Sequence, residues 1–275
     1  MILLERLIDM FIAIDIGNTH TVIAIYKNSS LLASLRLTST LKQTEDTIFT
    51  HIQSLLRKTG INKKNIDGIG ISSVVPNLTL VYTAIVKKYF HKKPMMVSAS
   101  LNLGIKIHYD DPKSLGADRI CNAIAGFSHY GGPLIIIDFG TATTYDVIAS
   151  NGDYLGGVIA PGIETSAFSL HSRTAKLPQL AGTIPYLPDA VISSNTLSSM
   201  QTGIFLGAID AALGMVNRIQ KELHKHRSKK ATVIATGGFS TFVAEQTKII
   251  QHVEPMLVLD GIRLIYDRVK NIKKM

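Results

Sequence analysis

Residues 11–26 read FIAIDIGNTHTVIAIY. Two apolar runs flank a short polar stretch, the pattern of a strand that ends on Asp15, a turn through Gly17, Asn18 and Thr19, and a second strand returning beside the first. Glycine accepts positive φ and lets a ligand approach the main chain, and successive exposed N–H groups in such a turn can hold phosphate oxygens. Asn18 and Thr19 add donors without adding negative charge. Asp15 alone would repel phosphate, and a cation removes the conflict: Mg²⁺ takes hard oxygen ligands and often binds through one or two carboxylates plus substrate phosphates. The hairpin therefore reads as a phosphate clamp with a carboxylate placed for a metal. A GxxxxGK[ST] loop and a GxGxxG turn opening a helix are both missing from the sequence, so any nucleotide is held differently.

Working outward, residues 11–38 divide into three short strands with turns at Gly17-Asn18 and at Asn28-Ser29-Ser30. A helix over 45–59, a strand over 66–74, a helix over 77–90 and a strand over 94–99 come next by periodicity. From Pro133 the order recurs. PLIIIDFGTATTYDVIASNGDYLGGVIAPGI supplies three strands with turns at Gly140-Thr141 and Asn151-Gly152. After a helix and a loop come a long helix near 198–227, KATVIATGG as a strand, a helix near 240–249, MLVLD as a strand and a last helix from about 261. Aligning IAIDIGNT with IIIDFGTA places Asp15 on Asp138 and Gly17 on Gly140, an internal repeat of about half the chain. Thr141, Thr143 and Thr144 give the second turn its donors. The expectation is two α/β domains, 10–120 and 121–275, with residues 1–9 as an N-terminal extension and a ligand cleft between the domains.

Two further stretches carry chemistry. In GADRICNAIAG (116–126), Gly116 breaks the chain and Asp118 and Arg119 open an apolar helical pattern. Asp118 suits a helix N-terminus for capping and dipole reasons alone, and Arg119 beside it at the junction of the repeats turns the pair toward function. TGGFS (236–240) is a glycine-rich strand-to-helix turn that either starts a helix with Ser240 as cap or leaves room for a nucleoside.

Bulk properties bound the rest. The chain has 275 residues, 46% hydrophobic, and a formal net charge of +9. Its lysines cluster where helices end (Lys87, Lys88, Lys92, Lys93; Lys225, Arg227, Lys229, Lys230; Lys270, Lys273, Lys274), where cations complement the helix dipole. Interleaved aromatics for base stacking are missing, which argues against nucleic acid as a partner. The single cysteine, Cys121, lies on the helix after GADR with nothing near in sequence to activate it, so it reads as packing. It forms no intramolecular disulfide and fits a reducing cytoplasm. Charges at Glu5, Arg6, Asp9 and Asp15 interrupt the apolar N-terminus, and neither a signal peptide nor a membrane span is expected.

DIGNTHT, GADR, DFGTATTYDV, GGVIAPGI, NTLSSMQTG and TGGFS, in this order, give the chain its resemblance to the type III pantothenate kinases, members of the acetate and sugar kinase, heat-shock 70 and actin superfamily. The resemblance runs from about residue 10 to the end. It implies an α/β fold of two duplicated actin-like (ribonuclease H-like) domains, each a mixed sheet flanked by helices. It implies ATP-dependent phosphorylation of pantothenate to 4'-phosphopantothenate, the first step toward coenzyme A, by a cytoplasmic homodimer. Asp118 matches the family's proposed general base, and Asp138 the acid linked to a monovalent cation, potassium or ammonium. Asp15, Ile16, Gly17, Asn18, Thr19, His20, Thr21, Val22 and Thr141 match ATP-binding positions. Tyr109, Gly116, Ala117, Asp118, Arg119 and Thr196 match pantothenate-binding ones, with Thr196 coming from the partner chain. Asp15 is assigned to Mg²⁺ through water. Arg119 holds either an anionic group of the substrate or the transferred phosphoryl. Some relatives carry a lysine in the first hairpin, where this chain has Thr19, His20 and Thr21. Two alternatives remain: another small-molecule kinase of the superfamily, which need not keep Tyr109 and Asp118, and a transcriptional accessory protein on the same fold.

Overall fold

The computed structural model describes residues 9–180, 187, 190–225 and 229–272. Most of the expected extension 1–9, together with Arg227, Lys273 and Lys274 of the basic clusters, lies outside the described residues. The chain forms two compact units, one of Met1–Gly104, Asp110–Ala125 and Leu257–Met275, the other of Ile105–Tyr109 and Gly126–Met256.

In the first unit, β1 (Met10–Ile16), β2 (His20–Lys27) and β3 (Ser30–Thr38) make an antiparallel meander, as the alternation predicts. Helix α1 (Glu45–Thr59) opens with the Thr44 hydroxyl accepting from the Thr47 N–H. It carries Glu45 and Asp46 in its first turn and Arg57 and Lys58 in its last, and it stops at Gly60 with φ 69°, so caps and dipole agree on its limits. Its buried side, Ile48, Phe49, Ile52, Leu55 and Leu56, covers the sheet. Strand β4 (Gly68–Ser73) returns parallel to β1. Helix α2 (Pro76–Ile85) starts on proline and runs into a π-helical turn, Val86–Phe90. Strand β5 (Met95–Met96) completes the order β3-β2-β1-β4-β5. Helix α3 (Ala117–Tyr130) comes directly after the GADR glycine, and the boundary between the units falls within it.

The second unit repeats the plan. Strands β6 (Leu134–Phe139), β7 (Ala142–Ile148) and β8 (Tyr154–Pro161) form the meander, and α4 (Ile163–Ser172) and α5 (Thr196–Lys225) come after it. Strand β9 (Thr232–Thr236) pairs parallel to β6, α6 (Ser240–Glu245) is short, and β10 (His252–Val253) gives the order β10-β9-β6-β7-β8. Read from β8, this is the order of the first sheet. By length and composition α5 could cross a membrane. Its apolar stripe, Met200, Ile204, Phe205, Ile209, Ala212, Val216, Ile219 and Leu223, is instead buried in the core of this unit.

One expectation fails here. MLVLD (256–260) is not a strand, since α7 (Leu257–Ile272) begins within it and the strand lies earlier, at β10. A run of four apolar residues fits either period. Leu257, Leu259, Ile262 and Ile265 are all buried, the spacing of a helix face. Helix α7 packs on the first unit, whereas the internal repeat predicts residues 121–275 as one domain. Tyr26 Oη donates to Asp260 Oδ1 at 2.7 Å, Lys270 Nζ to Asp9 Oδ2 at 2.6 Å, and the rings of Phe11 and Tyr266 lie 4.6 Å apart. Tyr266 and Ile262 sit where β-carbons at Gly68 and Gly70 would be, 2.2 and 2.5 Å away, so the glycines of β4 let the helix approach.

Candidate active site

Asp15 is the next-to-last residue of β1, which runs one residue past the end that the sequence predicts, and is partly exposed at the hairpin. The turn is closed by the Gly17 N–H donating to the His20 carbonyl at 3.0 Å. Ser39, just past β3, holds it from outside: its hydroxyl donates to the Gly17 carbonyl at 2.7 Å and its N–H to the Thr19 carbonyl at 2.9 Å. Asn18 and Thr19 are exposed, Gly17, His20 and Val22 are half-buried, and Ile16 and Thr21 are buried, with Thr21 Oγ1 3.0 Å from Ser39 Oγ. Below the turn, the buried Ser72 hydroxyl of β4 donates to Asp15 Oδ1 at 3.0 Å.

Asp118 lies in the first turn of α3, where its Oδ1 accepts the Arg119 N–H at 2.8 Å. Burial raises its pKa, and the Arg119 N–H and guanidinium partly offset the rise. A carboxylate in that state is a stronger base than one in water. Arg119 itself is buried. Cys121, one turn further on, is fully buried, and burial raises its thiol pKa well above the ordinary value, with Asp15 and Asp118 adding to the rise and Ser72 opposing it. The thiol thus packs beside the two carboxylates rather than acting as a nucleophile. Within this unit the fold brings together Asp15, Ser72, Cys121 and Asp118, of which the sequence identified the carboxylates.

The second unit assembles three motifs around Asp138. The Gly140 N–H donates to the Ala142 carbonyl, which makes this turn one residue shorter than the first: register pairs Phe139↔Thr143 and Ile16↔Thr21 enclose residues 140–142 and 17–20. The GGVIAPGI turn reaches the hairpin through the Gly162 N–H and the Thr165 hydroxyl, both donating to the Thr141 carbonyl. From TGGFS, Gly237 adopts φ +86°, and a β-carbon there would lie 2.5 Å from Asp138 Oδ1. Ser240 is the first residue of α6, and its hydroxyl donates back to the Gly237 carbonyl at 2.7 Å. It locks the glycine turn instead of capping the helix.

Tyr109 belongs to the same unit because residues 105–109 ride on β8: the His108 N–H donates to the Tyr154 carbonyl and the Tyr154 N–H to the Lys106 carbonyl. The Tyr109 ring meets Tyr154 edge-on at 6.1 Å, and Tyr154 Oη donates to the buried Asp146 Oδ1 at 2.8 Å. Thr196, exposed at the start of α5, is preceded by Asn195, whose Oδ1 accepts the Ser198 N–H.

Among the described residues no group of three or more His, Cys, Asp and Glu side chains could cage a metal ion. Asp15 offers a single carboxylate beside an exposed polar turn, which suits Mg²⁺ held jointly with phosphates.

Comparison with known proteins decides between the readings. A family model described as type III pantothenate kinase matches residues 11–218. The type III pantothenate kinase of Geobacillus sp. (strain WCH70) is 42% identical over 265 residues, 96% of this chain and 99% of that one. Solved structures agree on fold alone. A conserved Campylobacter jejuni protein named for the Baf family of transcriptional activators aligns with TM-score 0.55 at 19% identity over 94% of this chain and 99% of its own. Component A of the Acidaminococcus fermentans (R)-2-hydroxyglutaryl-CoA dehydratase aligns with TM-score 0.54 at 13% identity, over 95% and 99%. The two mixed five-stranded sheets share one strand order, so the α/β plan is duplicated. The chain belongs to the type III pantothenate kinases, which transfer a phosphoryl group from ATP to pantothenate on the way to coenzyme A.

Proposed function

We propose that Asp118 is the general base of this kinase. The pantothenate hydroxyl oxygen attacks the γ-phosphorus of ATP, the bond from that phosphorus to the β-γ bridging oxygen breaks, ADP leaves, and Asp118 takes the hydroxyl proton. Phosphoryl transfer needs mainly positioning and charge neutralisation. The observation that carries the role is a half-buried carboxylate in the first turn of α3 with its pKa raised by desolvation. Arg119 beside it is placed to hold an anion, and Gly116 and Ala117 bring main chain to the substrate. Tyr109 contacts pantothenate from the face braced by Tyr154.

ATP takes the first hairpin, from Asp15 to Val22, and Thr141 of the second. Mg²⁺, when bound, neutralises charge on the transferring phosphates, with Asp15 facing it through water. Asp138 offers an oxygen to potassium or ammonium. Burial of Cys121, the lone thiol, suits a reducing cytoplasm.

The active species in this reading is a homodimer with Thr196 serving the partner's site. Ile159 on β8, Phe168 on α4, Ile192 and Leu197 expose 63, 62, 94 and 44% of their surface. On α5 the exposed Gly203, Gly207 and Gly214 have open space where a β-carbon would stand, so a second helix can come close. Gly207→Leu should leave helix content unchanged, turn a dimer into a monomer in analytical ultracentrifugation and remove turnover.

A coupled assay of ADP release with ATP, Mg²⁺ and pantothenate, run in potassium and in sodium, tests the whole reading. Pantothenate-dependent turnover that requires potassium and collapses in Asp118→Asn supports it. Turnover in Asp118→Asn at the wild-type rate removes Asp118 as the base, and equal rates in the two salts remove the potassium assignment.

A further inference from the structure

We propose that Ser72 is a positioning residue for phosphoryl transfer, its buried hydroxyl fixing the plane of the Asp15 carboxylate toward the cation and phosphates of bound ATP. The proposal rests on the reading of Asp15 as the cation-facing acid.

Three observations carry it. Ser72 has no exposed surface, yet it places a hydroxyl on a central strand whose neighbours Ile69 and Ile71 are core residues. A position needing only volume would take alanine or valine, because a buried hydroxyl is costly unless it is bonded. Its bond, 3.0 Å to Asp15 Oδ1, runs to a carboxylate and belongs to the stronger, charge-assisted class. Turning the carboxylate out of its plane breaks that bond, so the hydroxyl sets where the acid points.

The internal repeat supplies the second observation. In the parallel ladder of the first sheet Asp15 stands opposite Ser72, and in that of the second Asp138 stands opposite Thr236. Both hydroxyl residues are buried, at 0 and 2% exposure. Each Asp-x-Gly carboxylate thus faces a buried hydroxyl residue at the same register, preceded by the apolar Ile71 in one case and Ala235 in the other. Packing alone gives no reason for the hydroxyl to recur opposite the acid.

The third is the neighbour on the far side. The Cys121 thiol interacts with the Ser72 hydroxyl and lies in the fields of both Asp15 and Asp118. Cys121 is one helical turn from Asp118 on α3. Ser72 therefore sits between the acid of the first hairpin and the helix that carries the base.

The test compares binding of Mg²⁺·ATP and of metal-free ATP by calorimetry, with thermal denaturation alongside, in the wild type, Ser72→Ala, Ser72→Thr, Asp15→Asn and the Ser72→Ala/Asp15→Asn double variant. Ser72→Ala should weaken Mg²⁺·ATP binding by about ten- to a hundredfold, the scale of one charge-assisted bond, and leave metal-free ATP within about twofold. Ser72→Thr should restore it. In the Asp15→Asn background the alanine should have no further effect, the signature of a shared interaction. Equal weakening of both ligands by Ser72→Ala, or of neither, while Asp15→Asn loses its preference for Mg²⁺·ATP, overturns the proposal and leaves the role of Asp15 standing. If Asp15→Asn keeps the wild-type preference, the role of Asp15 falls and the proposal with it. Ser72→Cys, nearly the same size but a weak donor, replaces the alanine variant if that fails to fold, and the same outcomes apply.

Discussion

Asp15 and Asp138 occupy the same place in two sheets of one strand order, each opposite a buried hydroxyl residue on the parallel neighbour strand. Beyond that hydroxyl the two chain paths part. After Ser72 the chain runs through Ser73 into the proline start of α2, and the space under Asp15 is shared with Cys121 and Asp118. After Thr236 it makes a glycine turn that folds against Asp138 itself. The comparison separates what duplication fixes from what it leaves free. Ladder register fixes where a carboxylate stands, and the two or three residues beyond the neighbouring strand decide whether a glycine wall folds against it.

Removing the charge of Asp118 should break this comparison most. Asp118→Asn should lower kcat by about 10²–10⁴-fold, the usual share of a general base. It should also stabilise the protein. The pKa of Asp118 is raised in the folded state, so the protonated form favours the fold and that contribution is lost as pH rises through the folded pKa. At neutral pH the ionised side chain costs stability that asparagine does not. Tm should rise, and the gain should shrink as pH falls and the wild-type acid protonates. For the wild type, the acid limb of kcat/KM should lie above the ordinary carboxylate range. A Tm gain that is flat with pH would count against burial as its cause.

Next in size is Gly237→Val. Its φ of +86° excludes a branched side chain without strain, and the added carbon would meet Asp138 Oδ1 at 2.5 Å and the Phe139 main chain at 2.6 Å. Strain of this kind costs about 1–3 kcal/mol before any displacement. The variant should unfold earlier in urea and lose potassium dependence, while Asp15-dependent binding of Mg²⁺·ATP stays. Loss of the potassium response without loss of stability would show the wall to be purely functional.

The range of each interaction decides how much of this was legible in the sequence. The hairpins were, because alternating apolar residues around Asp-x-Gly make a local signal in each repeat. The acids and GADR were legible for the same reason. MLVLD was not, since four consecutive apolar residues carry no period, and the two-residue β10 that supplies the strand instead leaves almost no pattern. The place of α7 was hidden because the bond that anchors it, Tyr26 to Asp260, joins residues 234 apart. Ser39, Ser72 and Tyr154 escaped because a serine or tyrosine in a strand or loop is ordinary until its partner is known. A faint signal existed for Ser72. Carrying the repeat from IAIDIGNT and IIIDFGTA to the next parallel strands sets IGIS beside VIAT, with Ser72 on Thr236.

The smallest expected effect sharpens the comparison most directly, at the positions just past the two hydroxyls. Ser73 in the first unit corresponds to Gly237 in the second by that alignment. The Ser73 hydroxyl accepts the Val75 N–H at 3.1 Å and the Thr79 hydroxyl at 2.6 Å, so it supports the start of α2. Ser73→Ala should cost about 1 kcal/mol, the usual cost of losing a helix-start side chain, and should leave KM for ATP and the Mg²⁺ requirement unchanged. The same step in sequence thus serves helix initiation in one repeat and packs against the hairpin acid Asp138 in the other. If Ser73→Ala instead raised KM for ATP as Gly237→Val does, the two positions would have kept a common role, and the divergence of the hairpins would have to come from the longer turn at residues 17–20.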